Sequence, residues 1–484
     1  MKKSIQAGRG SLQPLDRAVA IAVLILLVLT GLLLFGGDQT APQVRTFSWS
    51  GRQLSKTDVA MTFDFNRPMN TKSVADQLRF EPALPGRLSW AGRRMAYTPD
   101  LPPQAGTEYQ VRLTQAQDRF GRAMARPFES QFSTPTPRLL YLSIAAENAG
   151  RLMRYDFATA QTTAVTPPNL VVSDFKPYPD GKRVLFSAAE RTAAQQGTDY
   201  NQLQLYQIDL ETGQLSLQLD SRDYQLLRFA LSPDGKAIVV QRFDRKTQQP
   251  QLDQPIANAQ SSLGLWLQRE GDPQWSLISN QATGEFLITP DSSALIIAQG
   301  QGQTIFPLTP KAKALEFLPR FGTVLNFAAD GTQAAMVQFN PDYTRDLFLV
   351  STAGQPRKLL HSEGNFKTCE FNLNRTTLYC VVTRVVGKGY DEYPALVAID
   401  LKTGQLQTLL ELNERTDLNF NLAPDQRSLL YDRVSLAAGI SQGVVRSLQG
   451  EPIAVGEIWQ LPLKPEPSEP IPLKLLGIRP LWLP

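Results

Sequence analysis

A short unit, a turn followed by a strand, recurs six times between residues 138 and 484 and constrains the fold more than any other feature. The copies read YPDGKRVLF from Tyr178, SPDGKAIVV from Ser232, TPDSSALII from Thr289, AADGTQAAMV from Ala328, NLNRTTLYCVV from Asn372 and APDQRSLLY from Ala423. Their central Asp or Asn residues are 54, 57, 39, 44 and 51 positions apart. Repeats of this length, with about four short strands each, are typical of the blades of a β-propeller.

A second recurring unit follows each turn, and in the forms IDLETGQL (208–215) and IDLKTGQL (399–406) it reads as strand, glycine turn, strand. One further copy, LMRYDFATAQTTAV from Leu152, is preceded by RLLYLS (138–143) but by no such turn. If the strands of a blade are named A to D, RLLYLS is a B strand without its A strand, and IRPLWLP (478–484) is an A strand without its B strand. We expect these two to pair and to close a seven-bladed ring, with Trp482 in the core. Six blades are the alternative, if one unit has degenerated.

This region resembles the TolB-like propellers, which carry the same SPDGK turn and the L-Y-x-x-D-L-x-T-G strand pair. The best local matches surround Asp234 and Asp400. The resemblance implies a fold rather than an activity, because propellers of this kind serve as scaffolds, lyases and side domains of peptidases alike.

Residues 18–35, AVAIAVLILLVLTGLLLF, form the only long apolar run. Eighteen residues without a charge are near the lower limit for a membrane-spanning helix. Residues 1–17 carry four cations and one anion, so the positive-inside rule predicts a cytoplasmic N-terminus. A cleaved signal peptide is the alternative, but the sequence after the run offers only a poor cleavage site.

Residues 42–134 consist of short alternating runs such as VAMTFDF, YQVRLT and FESQFST, which predict about seven strands in a β-sandwich. The ordered phrases FDFNRPMNTKSV, FEPALPGRLSW, MAYTPDLPPQAGTEYQVRL, DRFGRAM and FESQFST resemble the bacterial Ig-like domain of envelope and surface-layer proteins. Such domains typically act as spacers or adhesion modules, so the resemblance implies no catalysis.

Charge and cysteine content limit the possible functions. The net charge is +4, and about +1 remains once the N-terminal tail is set apart, so no basic footprint for nucleic acid is present. Cys369 and Cys380 flank one turn on strands A and B of the same blade. Cross-strand neighbours can reach disulfide distance, and a plain buried thiol pair is an equal alternative.

Two motifs that suggest chemistry have the wrong context. GISQG (439–443) matches the nucleophile elbow, but no helix is predicted after Ser441 and the only histidine, His361, lies upstream. His361 has no neighbouring ligand residues at metal-binding spacing, so we expect an exposed loop histidine. We predict no enzymatic activity, no cofactor and no metal.

Alignment of the A strands on their turns places mostly polar residues at one equivalent position. These residues are Asp174, Arg228, Glu285, Val324, Thr368, Asn419 and Arg479. Because A strands line the axis of a propeller, Asp174, Arg228, Glu285 and Arg479 are candidate channel residues. Structural pairing of charges between neighbouring blades is the favoured alternative.

Long insertions between strands B and C mark a candidate working face, because all such loops emerge on one side of a propeller. They cover residues 190–201, 244–262, 384–394 and 432–456. Tyr200, Phe243, Tyr390 and Tyr393 are the candidate anchors for a partner there.

The sequence therefore predicts an all-β chain with a cytoplasmic tail (1–17), a transmembrane anchor (18–35), a linker (36–41), an Ig-like sandwich (42–134) and a TolB-like propeller (138–484). We expect a non-enzymatic scaffold or interaction module of the bacterial envelope, single-pass in the inner membrane, with its bulk in the periplasm. Envelope proteins would bind the B-to-C face and lipid would surround residues 18–35. The alternative is a receptor or enzyme that acts on an envelope glycan or peptide through the axial channel.

Overall fold

The computed structural model describes most of the chain. It leaves undescribed residues 1–13, 37–39, 56–57, 198–200, 246–262, 281–283, 300–301, 311, 313–314, 316–317, 320, 353, 388–390, 414–415, 437–444, 447–450, 464–468 and 484, and it describes only the backbone of residues 14, 16–17, 32–36, 354 and 416. The described part is predominantly β, which confirms the predicted class, and it divides into two compact units.

Helix α1 (Pro14–Gly36) covers the predicted anchor and begins at a proline, which suits the first helical turn because it lacks an amide hydrogen. Its described apolar side chains, among them Leu24 and Leu27, are exposed. Within the described residues, no helix meets the combined length and hydropathy expected of a membrane span. The anchor over 18–35 therefore stays a prediction.

The first unit contains two antiparallel sheets. Its elements are β1 (Val44–Phe47), β2 (Met61–Phe65), α2 (Thr71–Gln77), β3 (Leu78–Glu81), β4 (Gly86–Ala91), β5 (Arg94–Pro99), β6 (Glu108–Leu113) and β7 (Phe128–Ser133). One sheet has the order β1-β2-β5-β4 and the other the order β3-β6-β7.

Alternating side chains of these strands form the core between the two sheets. In β2 every second residue is buried, as the alternating sequence predicts. Phe63 of β2 stacks on Phe47 with ring centroids 4.6 Å apart and meets the edge of Phe128 from the other sheet at 6.0 Å. The two sheets thus pack face to face, and membership of the Ig-like family stays a prediction.

The second unit comprises residues 133–484 together with the short segments Gln53–Val59 and Leu101–Glu108. We number its sheets 1 to 7 along the chain and letter their strands A to D from the predicted pattern. Sheet 1 holds β8 (Arg138–Ser143), β9 (Leu152–Asp156) and β10 (Gln161–Ala164), with a 3₁₀ turn at Ala146–Asn148. Sheet 2 holds β11 (Leu170–Pro177), β12 (Arg183–Glu190), β13 (Gln204–Asp209) and β14 (Leu215–Leu219), with α3 (Arg191–Gln195) after β12. Sheet 3 holds β15 (Tyr224–Leu231), β16 (Ala237–Asp244), β17 (Leu263–Arg269) and β18 (Ser276–Ser279).

The remaining sheets follow the same order. Sheet 4 holds β19 (Phe286–Ile288), β20 (Ala294–Gln299) and β21 (Gly302–Pro307). Sheet 5 holds β22 (Thr323–Phe327), β23 (Gln333–Phe339), β24 (Arg345–Ser351) and β25 (Gly354–Ser362). Sheet 6 holds β26 (Phe366–Phe371), β27 (Thr377–Val386), β28 (Asp391–Asp400) and β29 (Leu406–Glu411). Sheet 7 holds β30 (Thr416–Asp417), β31 (Phe420–Leu422), β32 (Ser428–Leu436) and β33 (Ile453–Pro462).

Strand β34 (Ile471–Trp482) serves two sheets at once. Its first half pairs with β33, with Leu476 opposite Glu457. Its second half pairs with β8, with Gly477 opposite Ser143 and Trp482 opposite Leu139. Sheets 7 and 1 are therefore continuous, and the expected pairing of RLLYLS with IRPLWLP is present.

Apolar clusters fill the spaces between consecutive sheets. Each pair of neighbours from 1 and 2 through 6 and 7 shares one cluster, and a further cluster joins sheet 7 to sheet 1. That last cluster contains Trp482, which is 7% exposed, together with Tyr141, Leu430 and Ile458. Since every sheet packs on the one before and the one after it, the sheets close on themselves as in a β-propeller.

The recurring turns have the conformation that their sequence predicts. In the SPDGK turn the Asp234 carboxylate accepts the Lys236 amide and Gly235 has φ +73°. Where the repeat lacks glycine, Ser292, Arg375 and Gln426 adopt positive φ at the same place. The aspartates of these turns are thus structural.

Cys369 and Cys380 form a disulfide and lie directly opposite each other on β26 and β27. Both are fully buried in the cluster between sheets 5 and 6. Of the two alternatives that the sequence left open, the structure contains the bonded one.

Candidate functional site

Three of the predicted channel residues, Asp174, Arg228 and Arg479, lie at interruptions of the strand register, whereas Glu285 directly precedes β19, whose register is regular. The register shifts between 172 and 174, 226 and 228, 324 and 326, 366 and 368, and 478 and 481. A bulge at this place reorients the side chains that follow it. The recurring position thus marks a recurring irregularity of the backbone.

Arg228 and Glu285, from sheets 3 and 4, are brought together. Their nearest charged atoms, Nη1 and Oε1, are 3.2 Å apart, and the side chains are 45% and 81% exposed. A pair this open to water contributes about 1 kcal/mol or less. This is the arrangement of the favoured alternative, in which neighbouring blades pair charges.

The side chain of Arg479 contacts backbone carbonyls on either side of it instead of a carboxylate. Its guanidinium donates to the carbonyls of Ser173 and Arg446, the latter at 3.4 Å. Its φ of +52° lies in the left-handed region, which is unfavourable for arginine. Asp174 pairs locally with Lys176, Oδ2 to Nζ 3.6 Å. The four predicted channel charges therefore do not converge on one point.

A buried carboxylate that the sequence reasoning missed supports this strained position. Asp432 on β32 is fully buried and accepts the backbone amides of Asn419 at 2.6 Å and Arg479 at 2.7 Å. Burial raises the pKa of Asp432 to about 6, although these donors and the Arg479 charge act to lower it. The one signal in the sequence is a carboxylate directly after the apolar residues of SLLYD (428–432).

Hydrogen bonds between side chains and the backbone join neighbouring A strands, and the sequence did not predict them. The side chains that form these hydrogen bonds lie four residues before the aspartate or asparagine of the recurring turn. The predicted channel residues lie six residues before it. The bonds run from Asn326 Nδ2 to the Cys369 carbonyl (2.9 Å), from the Leu422 amide to Glu370 Oε2 (3.1 Å) and from the Trp482 amide to Asn421 Oδ1 (2.8 Å). Sheets 5, 6, 7 and 1 are thus joined in succession near the axis.

Half of the predicted aromatic anchors can be placed. Tyr200 and Tyr390 lie outside the described residues. Phe243 and Tyr393 are half-buried, opposite Leu263 and Arg384 in their sheets. The aromatic anchors of the B-to-C face stay a prediction.

Two strand pairs extend further on the B-to-C side than the others. Strands β27 and β28 pair at ten positions and β32 and β33 at nine, whereas the corresponding pairs of the other sheets have five to seven. Three additional positions add about 10 Å of ordered hairpin. Val385 and Val386 near the end of β27 and Val455 of β33 are 37–49% exposed. Two adjacent sheets therefore carry partly exposed valines on extended hairpins.

Sheet 3 holds an unusual cation. Arg242 is 3% exposed, and its guanidinium carbon lies 3.8 Å from the Tyr224 ring centroid and 4.2 Å from that of Trp266. Burial lowers the pKa of Arg242, and its Nε and Nη1 have no hydrogen-bond partner. Aromatic faces thus provide the electrostatic stabilisation that an acceptor would normally give.

Asp417 on β30 is a half-buried carboxylate on which charges from several sheets act. Burial raises the pKa of Asp417, while the charges of Lys367 and Arg479 act to lower it and Glu451 acts to raise it. These groups come from three different sheets.

Ser441 and His361 belong to the two motifs whose context in the sequence does not fit chemistry. Ser441 lies outside the described residues. His361 is exposed, as expected, but it lies on β25 rather than in a loop, and its Nδ1 is 2.6 Å from Asp346 Oδ1. Lys358 Nζ is 2.8 Å from the same oxygen, so the histidine belongs to a local ionic group.

Comparison with known proteins gives structural similarities at low sequence identity. No family model matches the sequence, and no curated protein matches it. Oligogalacturonate lyase from Vibrio parahaemolyticus is similar at TM-score 0.43 and 12% identity, over 58% of this chain and 79% of that one. TolB from Acinetobacter baumannii is similar at TM-score 0.40 and 12% identity, over 82% of each chain. Function has to be argued from this chain's own residues.

Proposed function

We propose that the chain is a non-enzymatic scaffold of the bacterial envelope, in which a seven-bladed TolB-like propeller presents a protein-binding face. The Ig-like unit acts as a spacer, and residues 18–35 hold the chain in the inner membrane with residues 1–17 in the cytoplasm. Partner proteins bind on the side where the B-to-C connections emerge.

The observation that carries this proposal is the pair of extended hairpins in sheets 6 and 7. A hydrogen-bonded hairpin holds Val385 and Val386 in place before any partner arrives, so little conformational entropy is lost on binding. Partly exposed aliphatic side chains at such an edge supply apolar area to an interface core. The seven consecutive sheets and their inter-sheet clusters support the blade count.

Two further features favour the compartment. A disulfide within one propeller sheet suits an oxidising environment such as the periplasm. Helix α1 exposes apolar side chains along its described length, including Leu26 and Leu27, and lipid would cover them. Carbonate extraction of native membranes tests the anchor: release of the full chain into the soluble fraction would refute it.

The binding face is tested by site-specific photo-cross-linking. A photoreactive residue replaces Val386 or, as the control, Leu406, which is 44% exposed on the outermost strand of the same sheet. We expect partner adducts from position 386 that are lost when Val385→Asp is added, and none of these adducts from position 406. The same adducts from both positions would show that the hairpin is not part of the interface.

A second candidate is a receptor or enzyme that takes a glycan or peptide through the axial channel. It is favoured by the half-buried Asp417 with Lys367 and Arg479 nearby. Thermal-shift assays against glycan and peptide panels separate the candidates, because only the channel receptor predicts a ligand shift that Asp417→Asn abolishes.

A further inference from the structure

One turn of the first unit combines a highly exposed aromatic ring with a local excess of arginine. Phe120 is 83% exposed at the tip of the turn between β6 and β7. Residues 119–127 contain three arginines, Arg119, Arg122 and Arg126, and no acidic residue. Arg119 and Arg126 are exposed and Arg122 is half-buried. This concentration contrasts with the near-neutral remainder of the chain beyond the N-terminal tail.

The turn is held rigidly from below. Asp118 is fully buried, and its carboxylate accepts the amides of Phe120 at 2.8 Å and Arg122 at 2.9 Å and the Arg67 guanidinium at 3.0 Å. Gly121, with φ +80°, donates to the Asp118 carbonyl at 3.1 Å. Burial by itself would raise the pKa of Asp118, but the two amides and the Arg67 and Arg122 charges lower it overall, so the carboxylate stays ionised. The aromatic tip therefore needs no ordering before it binds.

We propose that this turn, residues 118–123, is a contact with an anionic lipid surface, in which Phe120 enters the headgroup region and the arginines bind lipid phosphates. An exposed turn with an aromatic ring and flanking cations has the composition of an interfacial membrane contact. Each arginine near an anionic bilayer contributes about 1 kcal/mol.

The position of the unit along the chain favours lipid over a soluble partner. Seven residues separate helix α1 from β1, so the first strand begins within about 29 Å of the helix end. This step rests on the proposed anchor, which is tested separately by carbonate extraction. A failure of the lipid contact leaves that result unchanged.

The experiment uses the full chain in nanodiscs, with an environment-sensitive fluorophore on Ala123→Cys. Ala123 is exposed beside the tip, and both native cysteines are in the buried disulfide. We expect a blue shift, with quenching by spin-labelled lipid, in discs that contain phosphatidylglycerol but not in discs of phosphatidylcholine alone. Phe120→Ser should abolish most of the shift at low salt.

Charge is tested with a matched pair of triple variants. Replacement of Arg119, Arg122 and Arg126 by Gln should remove the dependence on phosphatidylglycerol. The control replaces three other exposed arginines of the same unit, Arg45, Arg87 and Arg112, by Gln and should retain it. Equal emission in both lipid compositions would overturn the proposal. A shift produced by soluble polyglutamate instead of lipid would also overturn it, in favour of an acidic protein partner.

Discussion

Replacing Trp482 by Ala tests whether β34 closes the propeller. The indole is buried between sheets 7 and 1, where it stacks on Phe157 with centroids 5.1 Å apart. It packs in the cluster that contains Leu430 and Ile458. Removal of a buried tryptophan leaves a cavity and costs about 3–5 kcal/mol. We expect Trp482→Ala to lower the free energy of unfolding of the propeller by that amount.

A conservative variant separates packing from hydrogen bonding. Trp482 Nε1 is buried and has no hydrogen-bond partner, so Trp482→Phe loses part of the ring but also removes an unpaired donor that costs about 1–3 kcal/mol. These effects oppose each other, and we expect the Phe variant to lie within about 1 kcal/mol of the original protein.

Urea unfolding followed by circular dichroism measures both variants, and hydrogen exchange with mass spectrometry localises the change. Trp482→Ala should increase exchange in β8 and β34 before other strands. If Trp482→Ala unfolds like the original protein, the packing between sheets 7 and 1 does not stabilise the closed propeller. If Trp482→Phe is as damaging as Trp482→Ala, the account of the unpaired indole nitrogen is wrong.

Two electrostatic predictions follow from the same region of the fold. Burial raises the pKa of Asp432 from 3.8 to about 6. The stability that its protonation contributes is therefore fully present below pH 4 and is lost as the pH rises to about 6, a change of about 3 kcal/mol in the free energy of unfolding. Urea unfolding of Asp432→Asn should lack this pH dependence, and an unchanged pH dependence would assign it to another group. For Arg228 and Glu285, a double-mutant cycle to Ala should give a coupling free energy below about 1 kcal/mol that salt abolishes, because both side chains are exposed. A larger coupling that does not depend on salt would contradict a surface ion pair.

The propeller sheets were predictable because their signals are local. The turn at Asp234 needs only its own five residues to be recognised, and the same pattern recurs at Asp330. Trp482 could be assigned to the core because it aligns with apolar residues of the other A strands. Even the pairing of β34 with β8, 340 or so positions apart, followed from counting units of a repeat, since each incomplete unit implies a missing complement.

The polar contacts between sheets were not predictable because each depends on two units at once. A sequence alignment of A strands shows which residues are equivalent but not which backbone atoms of the next strand lie opposite them. Asn326, Glu370 and Asn421 occupy one equivalent position, yet the first donates to a carbonyl and the other two accept from amides. The partner is set by the rotation between neighbouring sheets, to which all the core side chains contribute.

The same dependence on two units explains why the contact between Asp432 and Arg479 was not predictable from the sequence. Arg479 drew attention as a channel cation, but its backbone amide is what Asp432 holds, in a left-handed conformation that leaves its guanidinium free to reach the carbonyl of Ser173. A buried carboxylate and a strained residue together often mark a functional site. Here they lie at the one place where strands from opposite ends of the propeller meet, so their first effect is on closure.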